Sequence, residues 1–272
     1  MSFSVLLSVY AKEQPDYFNQ AFLSIWDQQT LKPNQIVLVK DGPLTAELDA
    51  EIQHWQEKLG EVLTLIELPE NVGLGAALNE GLKACKYELV ARMDTDDISL
   101  PDRFEKQVTF MQAQPDVAAS SAFLEEFDPT LTISQGSRQL PLTHDEIVSF
   151  GKRRSPLNHI PAIFRKSVVQ GVGGYPPLRN AQDYGLWSLL IVKGYRLANL
   201  PETLAHIRAG EGLIERRGLS FLRREIQLLL FQKRIGYLNS FDFSFNFLAR
   251  SVVRLSPVFI KRFAYRLVRN RK

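Results

Sequence analysis

Three aspartates lie within four positions of the stretch VARMDTDDISLP, which runs from Val90 to Pro101. Asp94, Asp96 and Asp97 follow an apolar run and precede a helix-start signal. Like charges this close destabilise a fold and raise one another's pKa unless a positive charge relieves them. Because side chains two positions apart on an extended chain point to the same side, Asp94 and Asp96 predict a paired oxygen site suited to Mg²⁺ or Mn²⁺. The structural alternative is a helix N-terminus, where aspartate is favoured without any ligand.

The elements that position these aspartates are strands and helices in alternation. Short apolar runs predict strands buried on both faces, as in a parallel sheet. Between them, apolar residues at helical spacing, such as Phe18, Phe22 and Ile25, predict amphipathic helices. The predicted strands are residues 3–10, 35–39, 62–68 and 87–93. Four strand-then-helix units within the first 115 residues predict a doubly wound, mostly parallel α/β sheet.

A polar stretch that a core does not need follows each of these strands. The four stretches are YAKEQP, KDGP, PENVGLG and MDTDD. In doubly wound sheets, ligands bind beyond the carboxyl ends of the strands. The four stretches together therefore predict a binding site, and they favour the metal interpretation of the aspartates over the structural one.

The alternation ends after Pro115. VAASSAFLEEF and TISQGSRQLP predict two strands joined by a turn, and YRLANLPETLAHIRAGEG predicts two more short strands. Helices are predicted near 145–152, in the stretch AQDYGLWSLLIVKGY and over 218–235. Asp183 lies at the start of the second of these helices.

The composition is that of a globular protein with a sizeable core, because 45% of the 272 residues are hydrophobic. The start MSFSVLLSVYAKE does not resemble a signal peptide, and no apolar run is long enough to predict a membrane span. The single cysteine, Cys85, excludes an internal disulfide and argues against thiolate metal sites. It fits a reducing compartment, and its place on an apolar helical stripe predicts a core residue.

The charge is distributed unevenly along the chain. From Arg208 to the end there are 15 basic and 4 acidic residues, whereas residues 1–207 hold 18 basic and 26 acidic ones. The first part is therefore predicted to be an acidic catalytic or binding body. The last part is predicted to meet an anionic partner.

The C-terminal segment 243–272 carries eight basic residues and no acidic one. A helix is predicted from Ser256, with Phe259, Phe263 and Leu267 on one apolar face and basic residues around it. A basic amphipathic helix with aromatic residues can lie in a membrane interface. The alternative is a helix packed back on the body with its charges in water. We expect no nucleic-acid partner, because no recognition motif accompanies the charge.

Several motifs taken in order resemble those of family 2 glycosyltransferases with the GT-A fold, in the bacterial branch that builds surface polysaccharides and lipopolysaccharide. The resemblance extends from Phe3 to about Arg217. No single motif would be specific, but the set is. The motifs are SVLLSVYAKEQPDYFNQAFLSIWDQQ, LVKDG, NVGLGAALNEGL, ARMDTDDISLPDRFEKQ, FRKSVVQGVGGY and AQDYGLW.

The resemblance implies an α/β GT-A catalytic domain over residues 1–217, in which residues 1–115 bind the nucleotide sugar and 116–217 the acceptor. Residues 218–272 would form a basic helical extension. The implied activity is an inverting, metal-dependent hexosyl or N-acetylhexosaminyl transfer from a nucleotide diphosphate sugar, usually UDP-linked, with Mn²⁺ or Mg²⁺ as cofactor. The implied acceptor is a saccharide or lipid-linked saccharide, extended on the cytoplasmic face of the cell membrane.

The resemblance also implies roles at the donor site. Asp41 would accept a hydrogen bond from the base, although an aspartate before a Gly-Pro turn is also expected for structural reasons. Asp94 and Asp96 are implied as metal ligands, with His206 as a third ligand in some relatives. Asp97 would orient Arg103 or cap the following helix. The implied donor-binding residues are Val9, Tyr10, Ala11, Glu13, Asp41, Asn71, Gly73, Asp94 and Thr95.

On the acceptor side, the resemblance implies that Asp183 is the general base. The alternative is a carboxylate that interacts with the helix dipole. Trp187 would stack on a sugar or, alternatively, pack in the core. The implied acceptor residues are Gly173, Gly174, Tyr175, Gln182 and Trp187, with Gly173 and Gly174 in a flexible turn. A basic loop with Arg208, Arg216 and Arg217 would close over the diphosphate or, alternatively, form a solvated helix start.

Three other functions compete with this interpretation. A sugar-1-phosphate nucleotidyltransferase would need a glycine-rich, basic loop after the first strand, which VYAKEQPDY is not. GLGAA resembles part of a dinucleotide fingerprint, but it follows the third strand and lacks the third glycine. An inactive binding or scaffold protein of the same fold would have no reason to keep the aspartates crowded together.

Overall fold

The computed structural model describes residues 2–209 and 219–255. Its strands are β1 (Phe3–Val9), β2 (Gln35–Asp41), β3 (Leu63–Leu68), β4 (Leu89–Arg92), β5 (Ile98–Ser99), β6 (Val117–Phe127), β7 (Ser134–Arg138), β8 (Ile163–Arg165) and β9 (Arg196–Arg208). Its helices are α1 (Pro15–Ile25), α2 (Ala46–Leu59), α3 (Leu74–Ala84), α4 (Arg103–Ala113), α5 (His144–Gly151), α6 (Lys166–Gly171), α7 (Gln182–Val192), α8 (Leu219–Arg234) and α9 (Ser240–Leu255).

These strands form one mixed sheet in the order β3-β2-β1-β4-β8-β6-β9-β5, with β7 paired to β6. The first four strands in this order are parallel, as their alternation with helices predicts. The sheet becomes mixed at β8, which is antiparallel to both β4 and β6. The prediction of a mostly parallel, doubly wound first half is confirmed.

Each face of the sheet carries a core. All seven residues of β1 are buried, because helices cover both faces of this central strand. Phe18, Phe22 and Trp55 pack on one face, where neighbouring rings lie about 5 Å apart. The other face is covered by α3 and α7, and Cys85 lies in this second core as predicted.

The prediction of two short strands in YRLANLPETLAHIRAGEG is wrong, because β9 runs without interruption through Pro201. Proline lacks a backbone N–H and usually ends a strand. Here β9 pairs in parallel with the long strand β6, and the register shifts on either side of Phe123. Such bulges absorb the extra residues, so the strand continues to Arg208.

The C-terminal part contains a helix that the sequence analysis does not predict. Helix α8 matches the predicted helix over 218–235, and α9 follows it and overlaps the first part of the basic segment 243–272. The predicted helix from Ser256 lies outside the described residues. Within the described ranges, no helix has the length and apolar character needed to cross a bilayer.

Candidate active site

A cavity of about 620 Å³ opens where the loops after the parallel strands meet. One wall is formed by the ends of β1, β2 and β4 together with the start of α3. The opposite wall is the segment between α6 and α7, residues 176–180, and Gln182. The position of the cavity follows from the topology, because the carboxyl ends of parallel strands share one edge.

Most of the residues implied for donor binding line this cavity. They are Tyr10, Glu13, Asp41, Asn71, Gly73, Asp94 and Thr95, and they are joined by the implied metal ligand Asp96 and by Gln182 from the acceptor set. Val9 is completely buried in β1, and Ala11 is exposed but is not part of the lining. Ser8, which the sequence analysis does not single out, lines the cavity instead.

The three aspartates converge after β4. Each offers one carboxylate oxygen, and these oxygens lie within 4.8 Å of one another. Burial, followed by the charges of Asp94 and Glu13, raises the pKa of Asp96 to about 7. Burial and the charges of Asp96 and Asp94 also raise the pKa of Asp97. A cluster of hard oxygen donors that resists ionisation fits a divalent cation, which would favour the charged forms.

Arg92 is a further residue of this site that the sequence motifs do not predict. Its side chain is completely buried two positions before Asp94, and one guanidinium nitrogen forms an ion pair with a carboxylate oxygen of Asp94. Burial acts to lower the pKa of Arg92, but the charge of Asp94 and the hydrogen bond to it raise this pKa above its usual value. Nε and Nη1 of Arg92 have no hydrogen-bond partner among the described residues. The position in a buried strand is the signal that could have identified this arginine, because a core position rarely holds an unpaired cation.

Arg103 is a second completely buried arginine at this end of the sheet. It donates hydrogen bonds to the carbonyl of Ile160 and to Oε1 of Gln107. Burial, helped by the charge of Arg92, lowers the pKa of Arg103 to about 9. Asp97 does not orient Arg103, because its carboxylate accepts a hydrogen bond from the backbone N–H of Arg208 at 2.8 Å. The other predicted role for Asp97 is also wrong, because the residue before α4 is Asp102.

A hydrogen bond between Glu13 and Thr95 connects the loop after β1 to the aspartate turn, which is residues 94–97. The Thr95 hydroxyl donates to Oε2 of Glu13 at 2.8 Å, and the other oxygen of Glu13 accepts from the backbone N–H of Gln14. Tyr10 lines the cavity beside them and is 46% exposed. The first loop therefore has a fixed carboxylate and an accessible aromatic ring on one wall.

Asp41 has a structural role as well as a place on the cavity wall. Its two carboxylate oxygens accept hydrogen bonds from the backbone N–H groups of Val72 and Gly73, at 2.7 and 3.1 Å. Asn71 donates to the backbone carbonyl of Asp41 at 3.2 Å. Because an ionised carboxylate has about four acceptor sites, Asp41 retains capacity for a ligand N–H.

Asp183 lies in the first turn of α7, next to Gln182, whose side chain reaches the cavity. Asp183 is half-buried and is not itself part of the cavity lining. Burial raises its pKa, whereas hydrogen bonds from backbone N–H groups and the charge of Arg92 act in the opposite direction. Asp183 therefore combines partial desolvation with a position at the edge of the cavity.

The turn before α7 contains two glycines with positive φ and is hydrogen-bonded to α3 at Tyr175. Gly173 and Gly174 adopt φ angles of 94° and 76°. The Asn79 amide bridges the backbone of Tyr175, accepting from its N–H at 2.8 Å and donating to its carbonyl at 2.9 Å. The Tyr175 side chain is buried, and its hydroxyl lies 3.1 Å from Nε2 of His159. The acceptor-facing position expected for Tyr175 is therefore wrong.

Two other implied residues lie away from the cavity. Trp187 is completely buried in the second core, which confirms the alternative interpretation and excludes stacking on a sugar. His206 pairs with Ile98 across β9 and β5, and its ring lies 4.7 Å from that of Phe127. Within the described residues it is not part of the cluster formed by the three aspartates, so its expected role as a third ligand stays a prediction.

The guanidinium of Arg208, for which contact with the diphosphate is expected, is engaged by other groups of the protein. It hydrogen-bonds to the carbonyls of Asp96 and Pro129 and to Oε1 of Gln20, and it lies 4.1 Å from the centre of the Tyr17 ring. Arg208 therefore stabilises the aspartate turn through its hydrogen bond to the carbonyl of Asp96. The other two arginines of the expected basic loop, Arg216 and Arg217, lie outside the described residues.

Residues 4–172 match the family model described as "Glycosyl transferase family 2". The chain belongs to glycosyltransferase family 2. This match covers the parallel half of the sheet, the aspartate turn and α6, and it ends at Val172, before the turn that precedes α7. As a family 2 glycosyltransferase, the chain has the GT-A fold that its sequence motifs predict.

Two curated relatives match almost the whole chain. The amylovoran biosynthesis glycosyltransferase AmsE of Erwinia amylovora is 40% identical over 97% of both chains. The UDP-Gal:alpha-D-GlcNAc-diphosphoundecaprenol beta-1,3-galactosyltransferase of Escherichia coli is 33% identical over 98% of this chain and 96% of its own. Similarity to these bacterial enzymes extends through α8 and α9.

Solved structures share the fold at low sequence identity. The mannosyltransferase PcManGT of Pyrobaculum calidifontis, in complex with GDP-Man and Mn²⁺, has a TM-score of 0.67 and 19% identity over 93% of this chain and 70% of its own. Residues 1–349 of S. aureus TarS in complex with UDP-GlcNAc give a TM-score of 0.64 and 18% identity over 85% of this chain and 66% of that one. These likenesses confirm the fold.

Proposed function

We propose that this family 2 glycosyltransferase moves a sugar, with inversion, from a UDP-linked donor to a lipid-linked saccharide. The observation that carries the proposal is the cavity onto which the nucleotide-side loops, the aspartate turn and the start of α7 all open. The UDP-Gal donor and the diphosphoundecaprenol acceptor named for the Escherichia coli relative support this choice of substrates.

On the donor side, Tyr10 and Glu13 would hold the nucleoside, and Asp41 would accept from the base. Asp94 and Asp96 would hold Mn²⁺ or Mg²⁺, which suits their clustered carboxylate oxygens. When bound, such a cation supplies Lewis-acid stabilisation of the charge that develops on the leaving diphosphate. Arg92 would keep Asp94 oriented from below through their ion pair.

On the acceptor side, Asp183 would act as the general base. The acceptor oxygen attacks the anomeric carbon, its proton passes to the Asp183 carboxylate, and the bond to the diphosphate breaks with the electron pair on the leaving oxygen. The raised pKa of Asp183 suits this role, because a base works best when its pKa approaches the working pH. No covalent intermediate with the protein is needed.

We also infer that Arg179 contacts the diphosphate of the bound substrate. It is the only basic residue of the described cavity lining, where it stands among four acidic residues. Its guanidinium has no ion-pair or hydrogen-bond partner within residues 2–209 and 219–255. A free arginine in an otherwise acidic cavity fits the anionic part of a nucleotide sugar.

We further infer a peripheral position on the cytoplasmic face of the cell membrane. A lipid-linked acceptor must be reached at the bilayer surface, and residues 243–272 carry eight basic residues and no acidic one.

The decisive experiment replaces Asp183 with asparagine. We expect Asp183→Asn to lower kcat by about 10²–10⁴-fold, the usual contribution of a general base, while UDP-sugar binding stays unchanged in a thermal-shift assay. Asp145→Asn is the matched control, because Asp145 also lies in the first turn of a helix but on the exposed surface. Unchanged transfer by Asp183→Asn would overturn the assignment of the base.

A further inference from the structure

Helix α9 presents an apolar stripe to solvent. Phe241, Phe245, Leu248 and Val252 are spaced as i, i+4, i+7 and i+11, so they lie on one face of the helix. They are 73%, 51%, 66% and 57% exposed. This spacing normally predicts the buried face of a helix, and large contiguous apolar patches on a protein surface usually mark an interaction site.

The opposite face of α9 packs on the body through Phe243, which contacts a small core cluster, and through several polar side chains. Asp242 forms ion pairs with Arg153 at 2.8 Å and with Lys152 at 3.6 Å. Asn246 donates to the carbonyl of Lys152 at 2.8 Å, and Arg250 donates to that of Arg153 at 3.2 Å. The polar contacts, together with Phe243, therefore hold α9 in the orientation that exposes its apolar stripe.

The C-terminal part that carries the stripe is basic in composition. Residues 219–255 include six basic and two acidic residues, and both acidic residues, Glu225 and Asp242, are already ion-paired. The guanidinium of Arg153 lies 4.7 Å from the centre of the Phe245 ring, beside the stripe. A partner for this surface must accept apolar side chains and carry negative charge at its rim. A bilayer with anionic lipids has both properties.

We propose that the apolar stripe of α9 inserts into the interface of an anionic lipid bilayer. Aromatic and aliphatic side chains on one helical face contribute the apolar part of such binding, and flanking basic residues contribute the electrostatic part. This surface is separate from the cavity, and because α9 overlaps the basic segment 243–272, the inference deepens the membrane position proposed above and rests on it. It does not depend on the donor chemistry proposed above.

The test is flotation of the purified full chain with phosphatidylcholine vesicles and with vesicles of phosphatidylcholine and phosphatidylglycerol in equal parts. We expect the wild type to float with the anionic vesicles and the double variant Phe241→Ser/Leu248→Ser to partition about tenfold or more weakly. Ile133→Ser is the matched control, because Ile133 is 67% exposed in the connection between β6 and β7. Transfer to a water-soluble acceptor should be unchanged in both variants.

Three results would overturn the proposal. In the first, the wild type fails to float with anionic vesicles, and in the second, the double variant floats as well as the wild type. In the third result, the double substitution converts a dimeric protein into a monomer without weakening vesicle binding. The last would assign the stripe to a second copy of the chain, and size-exclusion chromatography with light scattering detects it. Flotation requires no donor, so its failure is distinguishable from a failure of the proposed transfer reaction.

Discussion

Arg92 and Asp94 form an ion pair in which the arginine side chain is completely buried and the aspartate side chain is 29% exposed. The pair places a fixed positive charge directly beneath three clustered carboxylates. It provides the relief that like charges in a folded chain require. The buried charge also reaches the acceptor side, because Arg92 acts to lower the pKa of Asp183. One buried guanidinium thus influences both walls of the cavity.

We predict that Arg92→Met destabilises the metal-free protein and increases its stabilisation by Mn²⁺. Removal of the buried cation leaves the three carboxylates to repel one another, and the expected loss is about 2 kcal/mol, below the usual cost of breaking a buried pair. The loss is reduced because two nitrogens of Arg92 have no partner among the described residues. Melting temperatures in EDTA and in Mn²⁺ measure both effects. Arg92→Lys, which keeps the charge, should be intermediate, and equal Mn²⁺ shifts in all three proteins would contradict the prediction.

The raised pKa of Asp96 predicts a pH dependence of stability. Its value is about 7 in the folded protein against an ordinary 3.8. Between these values the folded state holds a proton that the unfolded state has released, so the free energy of unfolding falls as the pH rises from about 4 to about 7. Urea unfolding in EDTA across this range should show the fall in the wild type relative to Asp96→Asn. Parallel curves for the two proteins would show that Asp96 titrates normally.

Asp41 is predicted to matter for stability as well as for donor binding. Asp41→Ala leaves the N–H groups of Val72 and Gly73 without their acceptor, which should cost about 1–3 kcal/mol. The KM for the donor should rise at the same time, since these backbone groups line the cavity. Asp49→Ala is the control, because it removes an aspartate that is 46% exposed and pairs with Lys40 at the surface. A loss no larger than that of the control would exclude the structural role.

Arg179 is predicted to contribute to binding of the diphosphate part of the donor and not to binding of its nucleoside part. Arg179→Ala should weaken binding of UDP and UDP-sugars by about tenfold or more, the value of a hydrogen bond to a charged group, and leave uridine binding unchanged. Isothermal titration with the three ligands measures the difference. Arg234→Ala, at an exposed position on α8, serves as the control. An equal loss for uridine would indicate that the variant disturbs the cavity as a whole.

The parallel half of the fold was predictable because its signals are local. Apolar runs such as residues 35–39 and helical stripes such as the one in α3 each determine their element without distant partners. The aspartate turn was predictable for the same reason. By contrast, β9 continues through Pro201 only because it pairs with β6. No pattern within the sequence of β9 predicts that pairing.

The site residues that sequence reasoning misplaced depend on contacts distant in the chain. Arg208 carries the charge expected of a diphosphate ligand. However, its guanidinium donates hydrogen bonds to Gln20 and to the carbonyl of Pro129, which are distant in the sequence. Arg92 lies in an ordinary apolar run, and its importance appears only when Asp94 folds back over it. The exposed stripe of α9 has the same spacing as a core stripe, so sequence alone cannot tell which face is buried.

Gly42 is predicted to allow the close approach of the loop after β2 to the loop after β3, where Asn71 lies. Its φ of 85° favours glycine, and a Cβ at this position would lie 2.7 Å from the backbone N of Asn71. Gly194 is a matched control, because its φ of 80° imposes the same backbone strain while a Cβ there meets nothing within 4 Å. Gly42→Ala should therefore lose about 1–2 kcal/mol more than Gly194→Ala and also raise the donor KM, because the loop at Asn71 must move. Denaturant unfolding and donor kinetics on both variants test this, and equal losses without a change in KM would mean that the loop tolerates the displacement.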